Sequence, residues 1–429
     1  MKQLTRTVAS TLLAILFLQA CKSNQSVVKS IPSDSKQQIY RDISVLSHDS
    51  LGGRGTGQPG ELKAASYIVS RFTELGLSPK GADGWIQTFS FKPQPAAQIH
   101  MVNDSAKLGM ALVKEITGRN VIAYKDFGAI NTIIIGAHFD HLGMGEENSL
   151  WTGDAAIHNG ADDNASGVAA LLEIAHEITN NPSKYKGNNY LFIAFSGEER
   201  GLWGSNYFCK NPTIDLTKVT YMLNMDMVGR LNSEKRMAIN GTGTSPTWNE
   251  VLQGLATEVS IITSESGVGP SDHTSFYNMD IPVLHFFTGQ HEDYHKPSDD
   301  VEKINLDGEL LVVNYIERLI STLNTKEKLA FTRTKDESTT KASSFKVTLG
   351  VIPDYLYDGE GMRLDGTKEG RPAEKAGLIK GDIVLKIGDY NVNDMQTYMD
   401  ALSKFDKGQT TPVLIKRNGE EMTFMVFWE

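Results

Sequence analysis

Two cysteines, Cys21 and Cys209, are all that 429 residues contain, so no disulfide framework can hold this chain together. Positive charge is also in deficit. Lys and Arg number 42 against 52 Asp and Glu, a formal charge of −10, and the basic residues form no stripe. A polyanionic nucleic acid would be repelled over most of such a surface, which excludes it as a partner. Beyond residue 18 there is no apolar run long enough to cross a bilayer, and no internal repeat. What remains is a chain with ample apolar content for two or three packed units.

The first residues read as a targeting segment: Lys2 and Arg6 give a positive start, and Val8 to Leu18 an apolar stretch too short to span a membrane. Leu18-Gln19-Ala20-Cys21 resembles a bacterial lipobox, which implies cleavage before Cys21 and lipidation of its thiol; a plain secretory signal is the alternative. The expected location is therefore that of an exported, membrane-anchored lipoprotein facing the periplasm or the cell surface. Residues 22–35 read as a polar tether.

Helical spacing begins with Leu62, Ala65, Ile68, Phe72 and Leu75. Just before it, Gly55 to Gly60 formally spells G-x-G-x-x-G, but a dinucleotide loop needs a preceding strand and an acid about 20 residues later, so a structural loop is expected. From Asn120, continuous apolar strands ("NVIAY", "NTIIIGAH", "NYLFIAF", "TYMLNMD", "IPVLHFF") alternate with helices, the last over Leu306–Leu323. Strands without polar alternation are covered on both faces, so the expected class is α/β, a mostly parallel mixed sheet flanked by helices, over residues 36–324. Residues 325–344 read as a linker. Beyond it, alternation at Phe345, Val347, Leu349 and Val351, a helix through Tyr398 and Leu402, and a hairpin at Asn418-Gly419 predict a small β-rich domain over 345–429.

Five segments place metal-type ligands at strand ends or helix starts: His138, Asp140 and His141; Asp162 and Asp163; Glu198 and Glu199; Asp226; and His295 with Asp299. Singly each has a bland reading, a cap for the Asp pair or a solvated loop for the Glu pair. In an open α/β sheet, however, the carboxyl ends of the strands meet at one crevice. Divalent zinc takes imidazole and carboxylate there, which makes buried acids tolerable.

H-x-D, G-A-x-D-N, S-x-E-E, N-x-D and a late Y-H, in that order, resemble the M28 family of co-catalytic zinc aminopeptidases over roughly residues 49–323. The resemblance implies the zinc exopeptidase fold and two zinc ions, with cobalt or manganese as other possible occupants of the same ligands. It implies that Asp163 bridges, that His138 and Asp226 complete one shell, and that Glu199 and His295 complete the other. Glu198 would be the general base, Asp140 would orient His138, and Tyr294 would stabilise the oxyanion. Peptide substrates follow, with a glutaminyl cyclase or another zinc exopeptidase of this fold, or a non-catalytic peptide-binding scaffold, as alternatives. "HEDYH" also fits the zincin motif, but Gly289 and Pro297 leave little room for the helix it requires. His273 is expected either to line the pocket or to be structural. The last domain resembles a PDZ module, which implies capture of a C-terminal peptide at Leu349, Gly350 and Val351.

Overall fold

A computed structural model describes residues 33–91, 115–255, 258–324, 327–334, 347–354, 357, 359–367, 370–393 and 395–429. The expected signal segment with Cys21, the tether up to residue 32, Phe345 and linker residues 335–344 lie outside the described residues.

The first body has strands β1 (Ser78–Pro79), β2 (Ile86–Phe91), β3 (Ile116–Lys125), β4 (Thr132–His138), β5 (Asn189–Phe195), β6 (Val219–Met225), β7 (Arg236–Asn240), β8 (Ser260–Ser264) and β9 (Val283–Phe287). Its helices are α1 (Ser33–Leu46), α2 (Pro59–Glu74), α3 (Gly167–Asn180), α4 (Pro182–Tyr185), α5 (Trp203–Lys210), α6 (Pro246–Gly254), α7 (His273–Tyr277) and α8 (Leu306–Leu323). The nine strands form one sheet in the order β1-β3-β5-β4-β6-β9-β7-β8, with β2 added on β3. β5, β4, β6 and β9 run parallel at the centre; β3 joins β5, and β7 joins β9, antiparallel.

Every residue of β4, β5, β6 and β9 is buried, and the pleat divides them between two cores. Ile133, Ile135, Phe192, Ala194, Tyr221, Leu223 and Leu284 pack in the core that also holds apolar residues of α1, α2, α3 and α8. Ile134, Leu191, Ile193, Met222 and Val283 point the other way, into a core shared with Phe208 and Phe276 of α5 and α7. The unbroken apolar runs are thus the two faces of a covered sheet read together. β2, β7 and β8 were not evident in the sequence, being short or partly exposed.

Residues 327–334, expected as the start of the linker, lie against the first body. Leu329 is buried and its N–H donates to Thr220 Oγ1 at 3.1 Å; Thr332 N donates to Thr244 O at 2.8 Å. Leu329 and Phe331 supply the anchorage that the surrounding polar composition hides.

The second body has β10 (Val351–Pro353), β11 (Met362–Thr367), β12 (Ile383–Ile387), β13 (Tyr390–Asn391), β14 (Thr410–Arg417) and β15 (Glu420–Phe427), with α9 (Pro372–Ala376) and α10 (Met395–Leu402). The sheet order is β10-β11-β12-β14-β15, with β13 on β12. Asn418 and Gly419 both have positive φ, 53° and 90°, as the two-residue turn between β14 and β15 demands. Val426 and Trp428 are fully buried, whereas Met422, expected on the same inward face, is 40% exposed on the edge strand β15.

Candidate metal centre

The parallel strands deliver their chemistry at one edge. His138 is the last residue of β4, Asp226 follows β6, and Glu198 and Glu199 lie in the turn after β5. Asp163 sits in the irregular helical turn of residues 161–166 that opens α3, and His295 in the turn after β9. Gly160 enters the first of these turns with φ 55°; a Cβ there would stand 2.1 Å from the Asp163 carbonyl oxygen, so only glycine fits.

His138 Nε2 stands 3.4 Å from Asp163 Oδ1 and 3.3 Å from Asp226 Oδ1. On the other side of Asp163, Oδ2 is 3.2 Å from His295 Nε2, which is 3.4 Å from Glu199 Oε2. His141 Nδ1 is 2.8 Å from Glu199 Oε1 and 3.8 Å from Asp163 Oδ2. The donor atoms of His138, Asp163 and Asp226 all lie within 4.8 Å of one another, as do those of His141, Asp163 and Glu199, so Asp163 turns one oxygen to each group. Two donors on one tetrahedral ion at 2.0–2.2 Å are roughly 3.3–3.6 Å apart. The His138 and His295 spacings match that edge, and the mixed imidazole and carboxylate set suits zinc.

Outer contacts fix these groups. Asn164, the N of the G-A-x-D-N motif, donates Nδ2–H to Met225 O at 3.0 Å and accepts the Met227 N–H on Oδ1 at 3.1 Å, clamping the Asp163 turn to the end of β6. Asp299 accepts the N–H groups of Asp162 and Asp163 on one oxygen at 3.0 and 3.1 Å; it supports the turn from behind rather than joining either donor group. Asp162 points away from Asp163, taking Gly229 N–H at 2.7 Å and facing His291 Nε2 at 3.1 Å. Asp140 departs from its expected part. Its backbone carbonyl, at 3.2 Å, is nearer His138 Nδ1 than its carboxylate, at 3.8 Å; the carboxylate instead accepts Glu198 N–H at 3.1 Å and the Thr56 hydroxyl at 2.6 Å. Thr56 and Arg54, both in the glycine-rich loop, were not foreseen as supports of this centre.

Charge is concentrated here. Burial, then Asp226 and Glu199, push Glu198 well above the usual carboxyl range against the pull of His138. Burial works against protonation of His138 and His295, but Asp226 and Glu198 hold the first well above its usual range, and Glu199 and Asp163 lift the second to about 9. Asp163 is held well below its usual value, burial notwithstanding, by His141, His138 and His295. The acids are thus balanced by imidazole protons that a divalent ion would displace.

His138, Asp163, Glu198, Glu199, Asp226 and His295 line a cleft of about 150 Å³ together with Met227, Asn240, His285, Phe287 and Tyr294. Tyr294 stacks on His295 at 3.8 Å. His285, hidden inside the apolar strand β9, is a pocket residue that sequence reading missed; it stacks on His273 at 4.6 Å, and His273, fully buried, stands behind it rather than in the lining. Residues 291–295 form a turn, His295 has φ 55°, and His291 serves Asp162, so the zincin arrangement is absent. In the second body, Leu349 is buried with its carbonyl accepting Ala373 N–H at 2.8 Å, Gly350 has φ 71°, and Val351 opens β10.

Residues 120–318 match Peptidase family M28, and residues 350–427 match a PDZ domain. Leupeptin-inactivating enzyme 1 of Streptomyces exfoliatus is 26% identical over 278 residues, 64% of this chain and 52% of that protein. The chain spans about half the length of the curated relatives it matches. BSAP, a zinc aminopeptidase from Bacillus subtilis, shares the fold with a TM-score of 0.52 at 18% identity, over 69% of this chain and 95% of that one. Porphyromonas gingivalis glutaminyl cyclase does so with a TM-score of 0.53 at 18% identity, over 67% and 98%. All five expected ligands fall inside the first matched stretch and every strand of the second sheet inside the other, so the candidate centre lies in the part of the chain similar to Peptidase family M28 and the second body in the part similar to a PDZ domain.

Proposed function

We propose that the chain is a two-metal aminopeptidase that removes N-terminal residues from peptides. The observation that carries this reading is that Asp163 turns Oδ1 to His138 beside Asp226 and Oδ2 to His295 beside Glu199, with Glu198 lining the same cleft. His138, Asp163 and Asp226 would hold one ion, and Asp163, Glu199 and His295 the other. When bound, two divalent ions polarise the scissile carbonyl and lower the pKa of the attacking water.

The chain's own residues do the rest. Glu198, unpaired with either group and facing the cleft, takes the proton from the water and returns it to the leaving amine, general base and then general acid. Asp140 fixes the backbone of Glu198 through the 3.1 Å bond, which sets where the carboxylate can swing. Burial and the surrounding acids keep the Tyr294 phenol protonated, so it remains a donor for a developing oxyanion.

The fold shared with the zinc aminopeptidase BSAP is consistent with this reading. A glutaminyl cyclase shares that fold too. The reading with two ions rests on the two sides of Asp163, Oδ1 toward His138 and Oδ2 toward His295. Lipid attachment at Cys21, export and capture of a C-terminal peptide by the PDZ domain complete the proposal. A panel of short peptides with free and blocked N-termini, assayed with and without chelator, tests it. Chelator-sensitive release of the first residue from free N-termini alone is expected; cleavage within blocked peptides, or cyclisation of N-terminal glutamine without hydrolysis, overturns it.

A further inference from the structure

Two imidazoles converge on the carboxylates of the second ion, and their geometries differ. His295 Nε2 stands 3.2 Å from Asp163 Oδ2 and 3.4 Å from Glu199 Oε2, close to the roughly 3.3–3.6 Å edge of a tetrahedral shell. His141 Nδ1 stands 2.8 Å from Glu199 Oε1, a hydrogen-bond length, and 3.8 Å from Asp163 Oδ2, outside that edge. The two rings meet edge to face with centroids 5.8 Å apart.

We propose that His141 is a positioning residue for the second ion: its Nδ1–H holds Oε1 of Glu199 and so leaves Oε2 alone to face the ion beside His295 and Asp163. A carboxylate ligand accepts but cannot donate, so the proton of this bond sits on His141. The ring has little freedom to do anything else. Its side chain is fully buried, its backbone N–H donates to Arg54 O at 3.3 Å, and a Cβ on Gly160 would come within 2.5 Å of its Cδ2. Its second nitrogen, Nε2, is buried without a hydrogen-bond partner among the described residues, so the bond to Glu199 is the ring's one hydrogen bond there. Without it Glu199 is free to rotate or to bind through both oxygens, and the ordering of that carboxylate must then come out of the ion's binding energy.

The inference rests on the two-metal reading and is tested on the full chain, stripped with chelator and titrated with zinc by calorimetry, as wild type, His141→Phe and His141→Asn. In wild type two ions are expected. In His141→Phe the second should bind about 10–100-fold more weakly while the first is unchanged, which also reports that the variant is folded. His141→Asn, whose amide N–H can stand near the place of Nδ1–H, should recover most of the loss. X-ray absorption of the cobalt-loaded proteins should count the same number of imidazoles in wild type and His141→Phe. Unchanged zinc affinity in His141→Phe overturns the proposal. So does the loss of one imidazole from the cobalt shell, which makes His141 a ligand, or failure of asparagine to recover affinity while the first ion still binds. A wild type that takes up one ion defeats the two-metal reading instead; the role of His141 is then read from whether phenylalanine weakens that single ion, and no weakening overturns it.

Discussion

The carboxylate of Asp140 accepts the backbone N–H of Glu198 at 3.1 Å, and its other oxygen accepts the Thr56 hydroxyl at 2.6 Å. A residue of the glycine-rich loop therefore acts on the proposed general base through one intermediary. Asp140 is fully buried, so removing the Thr56 hydroxyl leaves a charged acceptor short of a donor and free to turn. Thr56→Val should lower kcat by about 10-fold or more with KM little changed, and Thr56→Ser should restore it. Equal activity in the valine variant means that Glu198 is placed without this bond.

The two adjacent glutamates should separate cleanly. Glu198→Gln keeps the shape of the cleft but cannot accept a proton, so turnover should fall by about 10²–10⁴-fold while both ions remain bound. Glu199→Ala removes a ligand atom, so one ion should be lost. Metal content and turnover measured on the same preparations decide; normal turnover in the first variant rules out the base assignment.

The candidate centre was legible in the sequence wherever an expected ligand closes an apolar strand, as His138 does for β4 and Asp226 for β6, because a covered strand announces itself and its carboxyl end is where a crevice forms. The closing helix Leu306–Leu323 was equally plain, since its apolar stripe is its docking face. What stayed hidden acts through the backbone or from within apolar surroundings. Arg54 binds only carbonyls, which no side-chain pattern records, and His285 lies inside a strand where its neighbours signal core. The pairing of His141 with Glu199 joins residues 58 positions apart, and only the adjacency of β4 and β5 brings them together.

Glu309, in the first turn of α8, is fully buried and neither oxygen has a hydrogen-bond partner among the described residues. Burial, and then Asp162 and Asp42, push its carboxyl well above the usual 4.5. The folded state thus holds a proton that the unfolded chain releases near pH 4.5. The contribution of that protonated form is complete below pH 4.5 and drains away as pH rises toward the folded-state pKa. Glu309→Gln keeps the shape without the proton. It should match the wild type at pH 4.5 and gain on it by about 1.4 kcal/mol per pH unit above that, until the wild-type carboxyl ionises. Denaturant midpoints at pH 5, 7 and 9 measure this; parallel stabilities across the range contradict it.

Arg54 is the cation under the acidic centre. Its side chain is fully buried and donates from Nε to Phe139 O at 2.7 Å, from Nη1 to Leu46 O at 2.5 Å and Asn159 O at 2.6 Å, and from Nη2 to Gly160 O at 3.0 Å. One guanidinium thereby ties the end of α1 to the segment after β4 and to the turn that delivers Asp163. Burial brings its pKa down to about 10, and Asp163, Asp140, Asp299 and Glu199 hold it from falling further, so it stays charged at neutral pH. Lysine keeps the charge but has three donors on one atom and cannot reach carbonyls spread around a planar fork. Arg54→Lys should therefore leave at least one buried carbonyl unpaired and cost about 3 kcal/mol, a fall in Tm of roughly 6–12 °C. Because Gly160 precedes the Asp163 turn, the same variant should also bind zinc more weakly, and zinc buffered at one subsaturating free concentration should raise its Tm by less than it raises that of the wild type. A lysine variant with wild-type Tm and wild-type zinc affinity shows that the carbonyl cradle is held by the surrounding packing and not by the guanidinium.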